Sequence, residues 1–213
     1  MSKDKIISIP DKERLKAIII YVTLSTIAFV VVYGWCNKQA SQSPVLYKMF
    51  TDWELGIPLI PWMIYPYISL NLLFVVAAFV LKEVTSIKAF CVALIAGAFV
   101  AGAVFFLFPG ELGFVRQTVP GYEHFYDFMF SIDHPHNLYP SLHVTYSTLA
   151  ILAMIEQTNN KFFHFFMVIW LVMISLSVVF VHQHHLFDII SGFILALILY
   201  KFVYEKIHNT KNA

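Results

Sequence analysis

Residues 17–36 read AIIIYVTLSTIAFVVVYGWC, twenty consecutive positions without a charged side chain. At ~1.5 Å of rise per residue such a run crosses the ~30 Å hydrocarbon core of a bilayer as one helix. The same reading applies to Ala89–Phe108 and to Phe162–Val181, which is broken only by His164. Leu55–Leu81 is a longer uncharged run with Pro58, Pro61 and Pro66 near its start, where they can bend or delay the helix. Composition agrees: 59% of the 213 residues are hydrophobic and 13% are charged, about half the charged share of soluble domains. The solvent of this chain is mostly lipid.

Two shorter apolar runs, Leu142–Ile155 and Leu186–Leu199, complete a set of six. Tyr139 and Pro140 extend the first, and Lys201 can snorkel while the second continues through Tyr204. The expected fold is therefore all-α, a bundle of six transmembrane helices forming one membrane domain over residues 17–204. Polar tails occupy 1–16 and 205–213, and a long outer loop joins the third and fourth spans. Six spans place both termini on one side, with Lys3, Lys5, Lys12, Arg14, Lys16, Lys82, Lys88, Lys161, Lys201, Lys206 and Lys211. Only Lys38, Lys48 and Arg116 fall opposite, so the positive-inside rule predicts cytoplasmic termini. His124, His134, His136, His143, His182, His184 and His185 then share the outer side.

The basic N-terminus followed by an apolar run mimics a signal peptide, but the run is too long and lacks a small-x-small cleavage site. It reads as an uncleaved first span. Cys36 and Cys91 lie within apolar runs, form no CxxC pair and read as buried structural thiols. Between the first two spans, Asn37–Glu54 reads as a short amphipathic segment on the outer leaflet or as a side wall for a lipid headgroup. The loop Pro109–Tyr139 is the long polar stretch, and Arg116 is its only basic residue other than histidine. A planar guanidinium suits bidentate phosphate binding as well as headgroup anchoring.

Chemistry concentrates in two polar breaks. In Tyr139-Pro140-Ser141-Leu142-His143, a proline at a helix start precedes residues whose free N–H groups suit an anion. Ser141 adds a hydroxyl, and His143 is placed to hold or transfer a proton. Forty residues later, His184 and Asp188 stand four apart, a spacing that lets the carboxylate bond one ring nitrogen and leave the other for substrate. Such support is what a histidine base or nucleophile needs. An aspartate at the start of a lipid-embedded helix is costly without a partner of this kind. His182 and His185 read as supporting residues or bystanders.

These residues resemble the type 2 phosphatidic acid phosphatase superfamily, whose motifs are Lys-x6-Arg-Pro, Pro-Ser-Gly-His and Ser-Arg-x5-His-x3-Asp. The second matches Pro140-Ser141-Leu142-His143. The third matches Ser177-Val178 followed by His184 and Asp188 at the family spacing. The histidine-rich 181–188 segment and Leu142 in place of glycine are similar to the inositol phosphorylceramide synthase-like branch. The chain departs from the pattern at Pro109, Gln117 and Val178, which replace the family's lysine, proline and second arginine. Two cationic phosphate ligands are thereby replaced.

The resemblance implies a membrane lipid phosphatase or phosphotransferase working through a phosphohistidine. His184 would attack phosphorus with Asp188 orienting it, and His143 would protonate the leaving oxygen. Arg116, Ser141, the backbone at Leu142 and Ser177 would bind the phosphate. The implied partners are a lipid phosphate substrate and membrane lipids, with no nucleic acid, no cofactor and no metal ligand. The implied location is a bacterial inner membrane with the site on the periplasmic face. A headgroup transferase is the near alternative. A histidine-rich metal-binding membrane protein is the alternative from another class, because His134, His136, His182, His184, His185 and Asp133 are good N/O ligands.

Overall fold

The computed structural model describes residues 5–210; Lys3 and Lys211 of the charge count lie outside them. Every regular element among the described residues is helical. The helices are α1 (Lys12–Ala40), α2 (Ile64–Ile68), α3 (Leu70–Val80), α4 (Val84–Leu107) and α5 (Glu123–Ile132). They continue as α6 (Leu142–Ile155), α7 (Lys161–Phe180), α8 (Leu186–Leu199) and α9 (Glu205–Asn209). The Asp11 carboxylate accepts the Arg14 N–H to start α1, and the Asn160 side chain accepts the Phe163 N–H to start α7, each satisfying a first-turn donor.

Five helical stretches are long and apolar enough to cross a membrane: Lys12–Ala40, Pro61–Val80, Val84–Leu107, Lys161–Phe180 and Leu186–Asn209. The last is continuous because α8 runs into α9 through a π-helical turn at Tyr200–Tyr204. Outward-facing Ile19, Ile27, Val31, Phe165, Ile190 and Ile194 are exposed, as expected of side chains whose solvent is hydrocarbon. Leu142–Ile155 is shorter. It is the most enclosed helix of the bundle, packed by α3, α4, α7 and α8, and only His143, Leu152 and Ile155 of its residues escape full burial.

In lipid, helices associate through close packing of small residues more than through transfer from water. One face of α4 shows this with Ala93, Gly97, Ala98, Ala101 and Gly102 all buried. At Gly102 an added Cβ would lie 2.4 Å from Val32 Cγ1. That contact is far inside van der Waals range, so only glycine lets α1 approach α4 this closely. Arg14 ties α1 to the far end of α3, donating to the Ala78 and Leu81 carbonyls at 3.3 and 2.9 Å.

Three segments take a definite form. The second span begins at Pro61, after a 3-10 turn at Asp52–Gly56, in keeping with prolines that restrict the preceding backbone and delay the helix start. The 37–54 segment opens as the last turn of α1 and closes in that 3-10 turn, with Phe50 and Glu54 packed against the start of α8. The outer loop carries a helix of its own, α5. Tyr126 and Met129 of α5 are buried and Phe128 and Ile132 are exposed.

Candidate active site

The start of α6 and the start of α8 are held together through the backbone. Ser141 donates its N–H to the Asp188 carbonyl at 3.0 Å. Thr145 Oγ1 lies 2.8 Å from the Ser141 carbonyl and 3.1 Å from the Gly192 carbonyl, sharing one proton between them. Gly192 makes this possible, because a Cβ there would meet the Ser141 carbonyl at 2.8 Å. Two helix N-termini therefore sit side by side and carry their histidines with them.

His143 and His184 face each other with ring centres 6.3 Å apart and planes inclined by 59°. Hydrogen-bond reach of about 3 Å from each ring makes this a gap that one phosphate group can bridge. His184 Nδ1 lies 3.1 Å from Asp188 Oδ2, and the same oxygen accepts the His185 N–H at 2.9 Å. A carboxylate can only accept, so this contact puts the proton of a neutral His184 on Nδ1 and leaves Nε2 a lone pair. The pair forms differently from the sequence argument. His184 precedes the first residue of α8, and Asp188 reaches back from the third helical position as part of an N-terminal cap. The backbone N–H of His184 is fixed to the Val178 carbonyl at 3.0 Å.

His143 is half-buried and its ring stacks on Tyr67 at 4.1 Å. Its own N–H and those of Leu142 and Val144 are the first-turn donors that helix geometry leaves for another acceptor. Ser141 is fully buried, and its Oγ lacks a hydrogen-bond partner among the described residues. Ser177, expected at the phosphate, gives its hydroxyl to the Ile174 carbonyl one turn back in α7 at 2.7 Å. It is a helix residue that supports the chain end from which the 181–185 turn departs.

Arg116 is docked beside the histidine turn. Its guanidinium lies over the Phe130 ring at 4.7 Å and donates to the Gln183 side chain at 3.1 Å and to the Phe130 carbonyl at 3.4 Å. Its field acts on Tyr33, Tyr67 and Asp133. Of the residues expected at the phosphate, Leu142 lines the cavity on which the two histidines open, and Arg116, Ser141 and Ser177 do not. That cavity, of about 960 Å³, follows α1 and α3 from Ile18 and Leu81 to Tyr33, Asp133, His143 and His184. From Tyr67 to Leu81 it extends about 21 Å at the helical rise of 1.5 Å per residue. Most of its wall is apolar, and the polar groups gather at the histidine end, the usual form of a small-molecule site.

Four other histidines are held by local structure, and His124 lines the same cavity. His182 adopts a left-handed backbone conformation, φ 58°, and its ring stacks on Phe114 at 4.0 Å while Nε2 meets the Ile57 carbonyl at 2.9 Å. His185 is stacked between Phe50 and Phe114 and lies 3.5 Å from Glu54. Burial pushes both imidazoles down from their ordinary value, with Asp188 and Glu54 opposing it in part at His185. His134 pairs with Ser41, and His136 with the Gly110 carbonyl. Among the described residues no three His, Cys, Asp or Glu side chains are grouped as metal ligands would be.

Four residues of the site were not expected from the sequence. Tyr33 and Asn37 of α1, Asp133 after α5 and Asn137 line the histidine end of the cavity. Tyr33 donates a hydrogen bond to Asp133, and Asn137 Nδ2 donates to the Tyr33 carbonyl at 3.2 Å. Burial raises the Asp133 carboxyl above its ordinary range, against the lowering effect of the Tyr33 bond, His184 and Arg116. Asp133 had been noticed only as a possible metal ligand, and nothing in the sequence linked it to Tyr33 a hundred residues earlier. No protein family and no curated protein matches this chain.

Proposed function

We propose that this chain is a membrane lipid phosphatase or phosphotransferase of the type 2 phosphatidic acid phosphatase kind, acting through a phosphohistidine. The observation that carries the reading is one arrangement: His143 and His184 face each other across 6.3 Å at the polar end of an apolar cavity, with Asp188 behind His184. In the proposed reaction His184 Nε2 attacks phosphorus while the bond to the leaving oxygen breaks, and His143 gives that oxygen a proton. His143 then takes a proton from water or an acceptor alcohol as its oxygen displaces His184. Asp188 holds the tautomer and stabilises the imidazolium. The Leu142, His143 and Val144 N–H groups and the Ser141 hydroxyl stabilise charge on the phosphoryl oxygens, where this chemistry most needs it. Arg116 acts from behind Gln183 as a charge.

Six spans belong to this reading. Leu142–Ile155 covers about 21 Å at 1.5 Å per residue, but other helices wrap it, so it need not present a full lipid-facing length. Cytoplasmic termini and a site on the opposite face are supported by the distribution of lysines, and a bacterial inner membrane with a periplasmic site is the setting we propose. Headgroup transfer is the second reading, favoured by a cavity of about 960 Å³, large enough to hold an acceptor beside the lipid phosphate.

The test is an assay of the full-length protein in nanodiscs on phosphatidate, phosphatidylglycerophosphate, isoprenyl diphosphate and phosphosphingolipids, with and without alcohol acceptors. Turnover that disappears in His184→Ala supports the reading. Turnover unaffected by His184→Ala, or no turnover and no phosphoenzyme with any of these lipids, contradicts it.

A further inference from the structure

The start of α8 sets a problem that the start of α6 does not. A helix N-terminus carries about half a unit of positive charge, which suits a phosphate held at the first turn of α6. His184 stands immediately before His185, the N-cap of α8, and attack by its Nε2 on phosphorus leaves a positive charge on the ring. The helix end that would attract an anion opposes that charge.

At α8 the first donors are already taken. His184 gives its N–H to the Val178 carbonyl at 3.0 Å, His185 to Asp188 Oδ2 at 2.9 Å and Leu186 to Glu54 Oε2 at 2.9 Å. Two carboxylates therefore cover the positive end of this helix. Asp188 comes from its own first turn, whereas Glu54 arrives from a segment 132 residues earlier in the chain.

Glu54 is held for this contact on both sides. It is 4% exposed, and its two oxygens divide their partners. Oε1 accepts the Thr51 N–H and hydroxyl, each at 2.9 Å, while Oε2 accepts Leu186 and lies 3.5 Å from His185 Nδ1. An oxygen pair that only accepts is the ionised form. The His185 ring is clamped between Phe50 at 4.2 Å and Phe114 at 4.5 Å, and Phe114 stacks in turn on His182 at 4.0 Å. Gly113 admits Phe50 to the stack, since a Cβ there would lie 2.3 Å from Phe50 Cζ. A charge so enclosed acts more strongly than one in water.

We propose that Glu54 is a positioning residue for the phosphohistidine step. Through the Leu186 N–H and the His185 ring it fixes the turn that carries His184, and its charge offsets the positive helix end. The proposal rests on the phosphoryl-transfer reading above and adds to its machinery a residue outside the motifs. In the step itself the bond from Nε2 to phosphorus forms as the bond to the leaving oxygen breaks, and the Nδ1 proton stays facing Asp188. The ring becomes cationic. Glu54 favours that cation, so it speeds formation of the phosphoenzyme and slows its breakdown, in which the ring departs neutral.

The experiment uses the full-length protein in nanodiscs and whichever of phosphatidate, phosphatidylglycerophosphate, isoprenyl diphosphate and phosphosphingolipid it turns over fastest, labelled at phosphorus. Rapid quenching follows formation of the labelled protein, and a chase with unlabelled lipid follows its decay. Glu54→Gln keeps an acceptor for Leu186 and removes the charge. It is expected to slow formation and hasten breakdown, so that the ratio of the two rates falls about 2- to 30-fold, the range of a charge at a helix terminus. Phe114→Leu keeps Glu54 and opens the stack to water; it is expected to move the ratio the same way and less far, which provides a reading even where a Glu54 variant is too unstable to assay. Thr51→Val removes only a contact of Oε1, and is expected to lower the unfolding temperature with both rates unchanged. Both steps slowed together in Glu54→Gln, an unchanged ratio in Glu54→Gln or Phe114→Leu, or the same rate changes in Thr51→Val would show that Glu54 serves the fold alone and overturn the proposal. Absence of any phosphoenzyme in the unmodified protein overturns instead the phosphoryl-transfer reading beneath it.

Discussion

Replacing Gly192 by alanine separates a catalytic pair from two histidines that merely lie near one another. The added Cβ would sit 2.8 Å from the Ser141 carbonyl and 3.2 Å from Val144 Cβ. Both contacts are on the first turn of α6, and one is backbone, so a side-chain rotation cannot relieve it. Ordinary contact begins at 3.4 Å, so α8 must retreat from α6 by about 0.6 Å, a displacement of the size that costs about 1–3 kcal/mol in packed interiors. The shared Thr145 proton spans 3.1 Å to the Gly192 carbonyl, and the retreat takes that contact beyond the ~3.5 Å at which such bonds fail. The loss adds about 1 kcal/mol. Because the Asp188 carbonyl, one turn earlier in α8, accepts the Ser141 N–H, His184 moves relative to His143. A misplacement near 1 Å costs about 100-fold in positioned chemistry, so a loss of about 10-fold or more in kcat is expected. The assay pairs lipid turnover with thermal unfolding in nanodiscs. A destabilised Gly192→Ala protein with unaltered kcat would refute the idea that this helix contact sets the geometry of catalysis.

Other substitutions address single roles. His143→Gln is expected to slow turnover about 10²- to 10⁴-fold, with much less effect on a substrate whose leaving group needs no proton, such as a nitrophenyl phosphodiester; equal loss on both would remove the general-acid role. Asp188→Asn is expected to reduce kcat by up to about 10⁴-fold through the wrong His184 tautomer and to lower stability by about 1 kcal/mol through the lost helix cap, both readable in one preparation. Glu54 links the first outer segment to α8. Burial alone would raise its carboxyl, but the Leu186 and Thr51 N–H groups, the Thr51 hydroxyl and His185 together hold it below its ordinary value of 4.5. Its folded form therefore binds a proton less readily than its unfolded form. The stability it contributes is present above pH 4.5 and is lost as pH falls through the lower folded value. Glu54→Gln is expected to unfold more easily at neutral pH and to lose less on acidification; an unchanged acid slope would contradict this.

The sequence revealed the apolar helices and the His184–Asp188 contact for separate reasons. Uncharged runs of twenty residues specify spans by themselves, and His184 and Asp188 lie close enough in the chain that local geometry joins them. The same local logic misjudged how they join, since His184 sits before the helix and Asp188 reaches back as its cap. The apolar run begins at Leu55, but Pro58, Pro61 and Pro66 near its start allow a delayed helix, and the span begins at Pro61. The α5 helix was hidden by the charged residues around it, although Phe125, Tyr126, Met129 and Phe130 carry a helical spacing. Tyr33, Asn37, Asp133 and Asn137 were beyond reach, because α1 brings residues from one end of the chain to a loop a hundred positions away. Ser177 illustrates the reverse limit: its position matches a motif, but its hydroxyl is taken up within α7.

The central claim is that His184 forms a bond to phosphorus, and rapid quenching tests it directly. The full-length protein is mixed with the lipid phosphate it turns over fastest, labelled at phosphorus, denatured in alkali within the first turnover, and mapped by peptide sequencing. The account predicts an acid-labile, alkali-stable label on the peptide carrying His184, which accumulates before steady state and is absent from His184→Ala. Substrate turnover without a labelled protein, or label on any other residue, would contradict it.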